Sequence, residues 1–138
     1  MENSALSEKD LLALQALVQR LITAIEQAVA AYAGLSAPHV QLRGWNSPEP
    51  WIDRVIPNLR QKAAHIPFSL QAMTSYDLKP ATMLSSDLVG LAKDLEFDTS
   101  WMPNAHREEV SRAVDEVVNL ASKIYRAGYH QLKASGQI

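Results

Sequence analysis

The stretch SEKDLLALQALVQRLITAIEQAVAAYAG, residues 7–34, decides the fold. Apolar or small side chains recur at Leu11, Leu14, Val18, Leu21, Ile25, Ala28 and Tyr32 in alternating steps of three and four, the period of a helix with one face turned to a core. Ser7 is placed to cap this helix, because its hydroxyl accepts from the backbone N–H near Asp10, and Glu8 and Asp10 suit the positive end of the helix dipole. Gly34 reads as a left-handed stop. Leu17, Ile22 and Val29 widen the stripe, while the opposite face carries Ala16, Thr23 and Ala30, and Arg20 and Glu26 are the charges between residues 11 and 34. So sparsely charged a circumference offers more small and apolar surface than one bundle core consumes. Ala16, Thr23 and Ala30 are therefore a candidate interface, where small side chains let a second helix approach closely, as in a homodimer.

The last long element mirrors the first. Asn104, after Pro103, reads as its cap, and Val110, Val114, Val117, Ala121, Ile124 and Gly128 form a stripe at helical spacing, with Val118, Tyr125 and Leu132 alongside. It is expected to run to about Ala134, before Gly136. Glu108 and Glu109 sit in its first turns and Lys123, Arg126, His130 and Lys133 near its end, as the dipole favours.

Between them two shorter helices are expected. The first starts at Ser47 with Pro48 in its first turn, carries Ile52, Val55, Ile56, Leu59, Ala63 and Ile66 on one face, bends at Pro57 and ends at Pro67. The second carries Leu84, Leu88, Leu91 and Leu95, with Pro80 in its approach and Ser85 or Ser86 as cap. Residues 68–79 are ambiguous. No segment alternates convincingly enough for a strand, and none repeats at a fixed period. The expectation is an all-α, single-domain four-helix bundle, residues 1–138, with long first and last helices of roughly 40 Å, a proline-kinked second helix, and frayed ends at 1–6 and 135–138.

Composition agrees. The 138 residues are 47% hydrophobic and 20% charged, as in an ordinary globular chain, which at this length buries roughly two-thirds of its unfolded surface. A formal charge of -2 supplies no global field for DNA or an anionic membrane, so neither is an expected partner. Arg20, Glu26 and the glutamines make the first helix too polar to span a bilayer. Cysteine is absent, which removes disulfides, thiolate nucleophiles and Cys-ligated metal. The acidic, polar start, MENSALSEKD, lacks the form of a secretory signal, and a cytoplasmic location is the expectation.

Most local chemistry is missing. The five glycines stand singly, so no phosphate-cradling loop is built, and neither G-x-S-x-G nor S-x-x-K occurs. The metal-binding Glu-x-x-His of helical bundles does not occur either, and His39, His65, His106 and His130 are scattered; no metal and no cofactor is expected.

Arg60 and His65, four residues apart in between, resemble the Arg/His pair of the HEPN ribonucleases, which are small helical bundles. Gln61 follows the arginine, where that family carries Asn, Asp or His, and the pair lies on a middle helix. The resemblance implies RNA as substrate, Arg60 on the scissile phosphate and His65 in proton transfer, which requires both to face one cleft. Five positions apart on one helix, they diverge by about 140°. The structural alternative has Arg60 and Lys62 solvating the outer face and His65 closing the helix. Tyr125, Arg126, Tyr129 and His130 form a further candidate, lining a groove for an anion or an aromatic ligand.

Trp45 and Trp51 flank SPEP in RGWNSPEPW, and either role suits them: cover over one end of the bundle, with Trp101, or anchors at an interface. The function expected is non-enzymatic, acting by association with a partner protein or with a second copy, as adaptor, regulator, inhibitor or structural subunit. A HEPN-type ribonuclease is the first alternative, and a bundle holding a small apolar ligand or cofactor the second.

Overall fold

The computed structural model describes residues 7–36, 48–90 and 99–136. They form an all-α four-helix bundle of α1 (Glu8–Ser36), α2 (Ile56–Thr74), α3 (Lys79–Val89) and α4 (Asn104–Ala134), with no strand among the described residues. Both α2 and α4 pack against α1 and against α3, which closes the ring. Side chains joining α1 to α4 set their relative direction: Asp10 lies 3.5 Å from Lys123, and Arg20 lies 2.7 Å from Glu116 and 3.5 Å from Glu109, so the two run antiparallel.

The long helices follow their periodicity. Leu11, Leu14, Val18, Leu21, Ile25 and Ala28 are buried, as are Val110, Val114, Val117, Ala121, Ile124 and Gly128 facing them across the core. Ser7 Oγ accepts from the backbone N–H of Lys9 at 3.1 Å and of Asp10 at 3.4 Å. Gly34 does not stop α1, which continues to Ser36; glycine permits the left-handed conformation without compelling it. At the other end of the chain the expected stop is taken, since Gly136 has φ 77° just after α4.

Of the prolines of α2, Pro67 acts differently from expectation. Ahead of α2 the chain makes a π-helical turn, Trp51–Val55, in which the N–H of Ile56 donates to the carbonyl of Trp51, five residues back. Pro57 then falls in the first turn of α2, where a missing N–H is least missed. The wider π turn eases the collision that a proline ring makes with the carbonyl four residues before it. Pro67 does not end the helix, which runs on to Thr74. It leaves the carbonyl of Ala63 without its helical donor, and Gln15 Nε2 of α1 approaches that oxygen at 3.5 Å. Ile52 was expected in the core; with Trp51 and Val55 turned inward on the π turn it is 38% exposed.

Helix α3 starts earlier than expected, at Lys79, with Pro80 in its first turn. Neither serine caps it: Ser85 is buried in its interior and donates to the carbonyl of Ala81 at 2.8 Å, and Ser86 lies on its exposed side. Against α4 the packing is close. A Cβ added to Gly128 would stand 2.1 Å from Thr82 Oγ1, so only glycine fits there with the present rotamer. Gly44, Trp45, Ser47, Leu91 and Leu95 lie outside the described residues.

The two ends of the bundle differ. Where α1 finishes and α2 and α4 begin, Trp51 is 1% exposed, and Trp101 packs edge-on against it at 6.2 Å and against Tyr32 at 5.7 Å between ring centroids. Arg107 secures the approach to α4 by donating to the carbonyls of Thr99, Ser100 and Met102 at 3.3, 3.4 and 3.1 Å. At the other end α2 turns into α3 through a Schellman motif: Asp77 N–H donates to Ala72 O and Tyr76 N–H to Met73 O, both at 3.0 Å. The left-handed position of that motif, usually glycine, is Tyr76, with φ 62°.

Candidate interaction surface

Arg60 and His65 do not share a cleft. Arg60 forms an ion pair with Glu26 of α1, whereas His65 lies on the wall of a groove between α2 and α3. Because α2 continues past Pro67, His65 is in mid-helix and closes nothing. Lys62 does not simply solvate the outer face; it is half-buried and meets Asp87 of α3 at 3.1 Å.

The candidate residues of α4 are drawn together in part. Tyr125 and Tyr129, one turn apart, have ring centroids 6.1 Å apart, and His130 stands edge-on to Tyr129 at 6.2 Å. Arg126 lies on the exposed side of the helix, and no cavity wall is formed by these four residues among the described grooves. Tyr125 is half-buried, and Tyr129 and His130 are exposed. Among the described residues no group of three or more His, Asp or Glu is placed to hold a metal, and no helix is long and apolar enough to cross a membrane.

On α1, Ala16, Thr23 and Ala30 are all exposed, and the two charges of that helix between residues 11 and 34 are both engaged sideways, Arg20 with α4 and Glu26 with α2. The face between them is left uncharged. Trp51, the other described candidate for an interface, is inside the bundle and presents no surface.

The largest apolar exposure lies elsewhere, on the α2–α3 side. Phe68 is 62% exposed and Met83 67%, and the two line one groove of about 210 Å³ with His65, Ser69, Pro80, Leu84 and Asp87. Tyr76, 88% exposed, follows at the turn. Their inward neighbours explain the direction: Ile66, Ser69, Leu84 and Leu88 take the core side of α2 and α3, which turns Phe68 and Met83 outward. From Ala63 to Tyr76 the sequence holds no Asp, Glu, Lys or Arg, so the α2 side of the edge lacks the charges with which an ordinary solvent face is covered, and Asp87 supplies a carboxylate from α3. That run is the signal by which the edge could have been found in the sequence; it falls mostly in the stretch left ambiguous between Pro67 and Pro80.

A further groove, of about 460 Å³, lies beside Trp51, Val110 and Val114, and the cation on its wall, Arg107, is the one committed to three carbonyls. A third, of about 450 Å³, is formed by Tyr76, Leu78, Gln131, Ala134 and Ser135 where the α2–α3 turn meets the end of α4. No protein-family model matches this chain, and no curated protein or solved structure matches it significantly.

Proposed function

We propose that this protein acts by association with a partner protein, without catalysis, and that the α2–α3 edge around Phe68 and Met83 is the surface it uses. The observation that supports this reading is the pairing of two large apolar side chains, 62% and 67% exposed, across one groove whose lining carboxylate, Asp87, is engaged by Lys62. Large exposed apolar groups that share a patch favour a partner over solvent, since burying each releases water and is worth about 1.5–3 kcal/mol when complete.

The test is a comparison of the wild type with Phe68→Ser/Met83→Ser. Both are immobilised and exposed to extract from the native source, and any protein held by the wild type is then purified and titrated against each. The reading expects binding that the double variant loses while its melt stays close to that of the wild type. Binding that survives both substitutions refutes the assignment of this edge.

Self-association through α1 is a second reading, supported by the uncharged, exposed Ala16, Thr23 and Ala30 and by the sideways engagement of Arg20 and Glu26. Light scattering on wild type and Ala16→Glu/Ala30→Glu decides it: a dimer that becomes a folded monomer supports it, and a wild type that is monomeric at high concentration rejects it.

A further inference from the structure

Along α3 the residues turned to solvent are Lys79, Met83, Ser86 and Asp87. Three are polar, and Met83 is the exception, 67% exposed where a polar side chain would serve the fold as well. The chain has four methionines, of which Met102 is 2% exposed, Met73 is half-buried and Met1 lies outside the described residues. Among the described residues Met83 is therefore the thioether that a dissolved oxidant reaches most easily. Cysteine, whose thiolate would react first, is absent from the chain.

Position sets the consequence of oxidation. A sulfoxide at Met102 would carry a polar oxygen into the core, and the fold would lose stability. At Met83 the new oxygen stays hydrated, so the helices keep their packing. What changes is the groove. Met83 lines it together with Phe68, Pro80 and Leu84, and a pliable, apolar thioether suits a surface that a partner covers. Its sulfoxide is a polar hydrogen-bond acceptor that a covering partner must strip of water.

We propose that Met83 is a site of reversible oxidation that switches the α2–α3 edge off. Hydrogen peroxide transfers one oxygen atom to the sulfur: the S–O bond forms as the O–O bond breaks, the sulfur gives up two electrons, and the peroxide leaves as water. Reversal takes a methionine sulfoxide reductase, a separate enzyme, which passes two electrons and two protons from a dithiol and releases the oxygen as water. A partner that covers Met83 also shields its sulfur, so binding and oxidation oppose each other. The inference rests on the association reading above and adds its regulation.

The experiment treats the full chain with hydrogen peroxide in a timed series. Each sample is read by peptide mass mapping, by elution from a phenyl-agarose column and by its thermal melt. Met83 is expected to gain oxygen before Met73 and Met102, and the protein to elute earlier as the Met83 sulfoxide accumulates, with the melt unmoved at that stage. Methionine sulfoxide reductases of both stereospecificities, with dithiothreitol, are expected to restore mass and elution together. Met83→Leu, compared with itself before and after peroxide, keeps its elution. Any protein that the untreated wild type holds is expected to bind the Met83 sulfoxide about tenfold more weakly, the loss typical of a contact that matters. Oxidation of Met73 or Met102 ahead of Met83 overturns the proposal, as does an elution unmoved by complete Met83 oxidation, or a melt that falls with it. A partner bound equally by the Met83 sulfoxide, yet lost in Phe68→Ser/Met83→Ser, rejects the switch and leaves the association reading standing. A partner kept by Phe68→Ser/Met83→Ser refutes the edge, and the switch with it.

Discussion

The two ends of the bundle use aromatic residues in opposite ways. At one end Trp51 and Trp101 are buried and packed edge-to-face, and Tyr32 leans on them. At the other, Phe68 on α2 and Tyr76 on the turn after it stand in solvent, along a stretch without a charged residue from Ala63 to Tyr76. Edge-to-face contact among rings adds to the free energy of burial, so the tryptophan end holds the molecule together. A mostly exposed ring adds little to folding. The difference teaches that aromatic content alone does not locate a binding surface; the distinction lies in which residues their neighbours leave uncovered.

Three substitutions put that contrast at risk, in descending order of effect. Trp51→Ala removes the largest fully buried side chain and is expected to lower stability by about 3–5 kcal/mol in a denaturant melt. A smaller effect is expected from Gly128→Ala, whose new Cβ would press on Thr82 Oγ1 at 2.1 Å. About 1–3 kcal/mol should be lost, with part regained in Gly128→Ala/Thr82→Ala, because the second change removes the atom in the way. A melt unmoved by Gly128→Ala would mean that α3 and α4 separate easily. Smaller again, Gln15→Ala withdraws the donor that approaches the Ala63 carbonyl, at a cost of about 0.5–1.5 kcal/mol. If Gln15→Ala is silent while Pro67→Ala stabilises, solvent rather than α1 satisfies that carbonyl.

Much of this fold was legible in the sequence, because α1 has cap, stripe and charges in agreement and α4 stripe and charges; Asn104, expected as the cap of α4, is its first helical residue, and Pro103 before it makes no side-chain cap. Their buried faces match the spacing of Leu11 to Ala28 and of Val110 to Gly128. The middle helices were legible only in part. Rules for proline count the lost bond within one helix, and they read Pro67 as an end; the compensating contact comes from Gln15, 48 positions away in sequence. The start of α3 was obscured in a similar way, since Ser85 looks like a cap until its hydroxyl is found bonding back to Ala81. For the candidate site, helical geometry correctly separated Arg60 from His65, and the structure gives them different neighbours, Glu26 for one and the Phe68 groove for the other. Tyr76 was not legible, because a left-handed residue is sought among glycine and asparagine. Phe68 and Met83 were missed because burial of a middle helix depends on where its neighbours lie, which periodicity in a short, proline-bounded run does not fix.

The α2–α3 edge is tested most directly by Phe68→Ser/Met83→Ser, measured for stability and for partner binding on the same preparation. Surface changes of this kind alter stability by about 0.5 kcal/mol or less, so the account predicts a melt close to the wild type and a partner no longer bound. A variant that melts far below the wild type, or that still holds its partner with wild-type affinity, would contradict it.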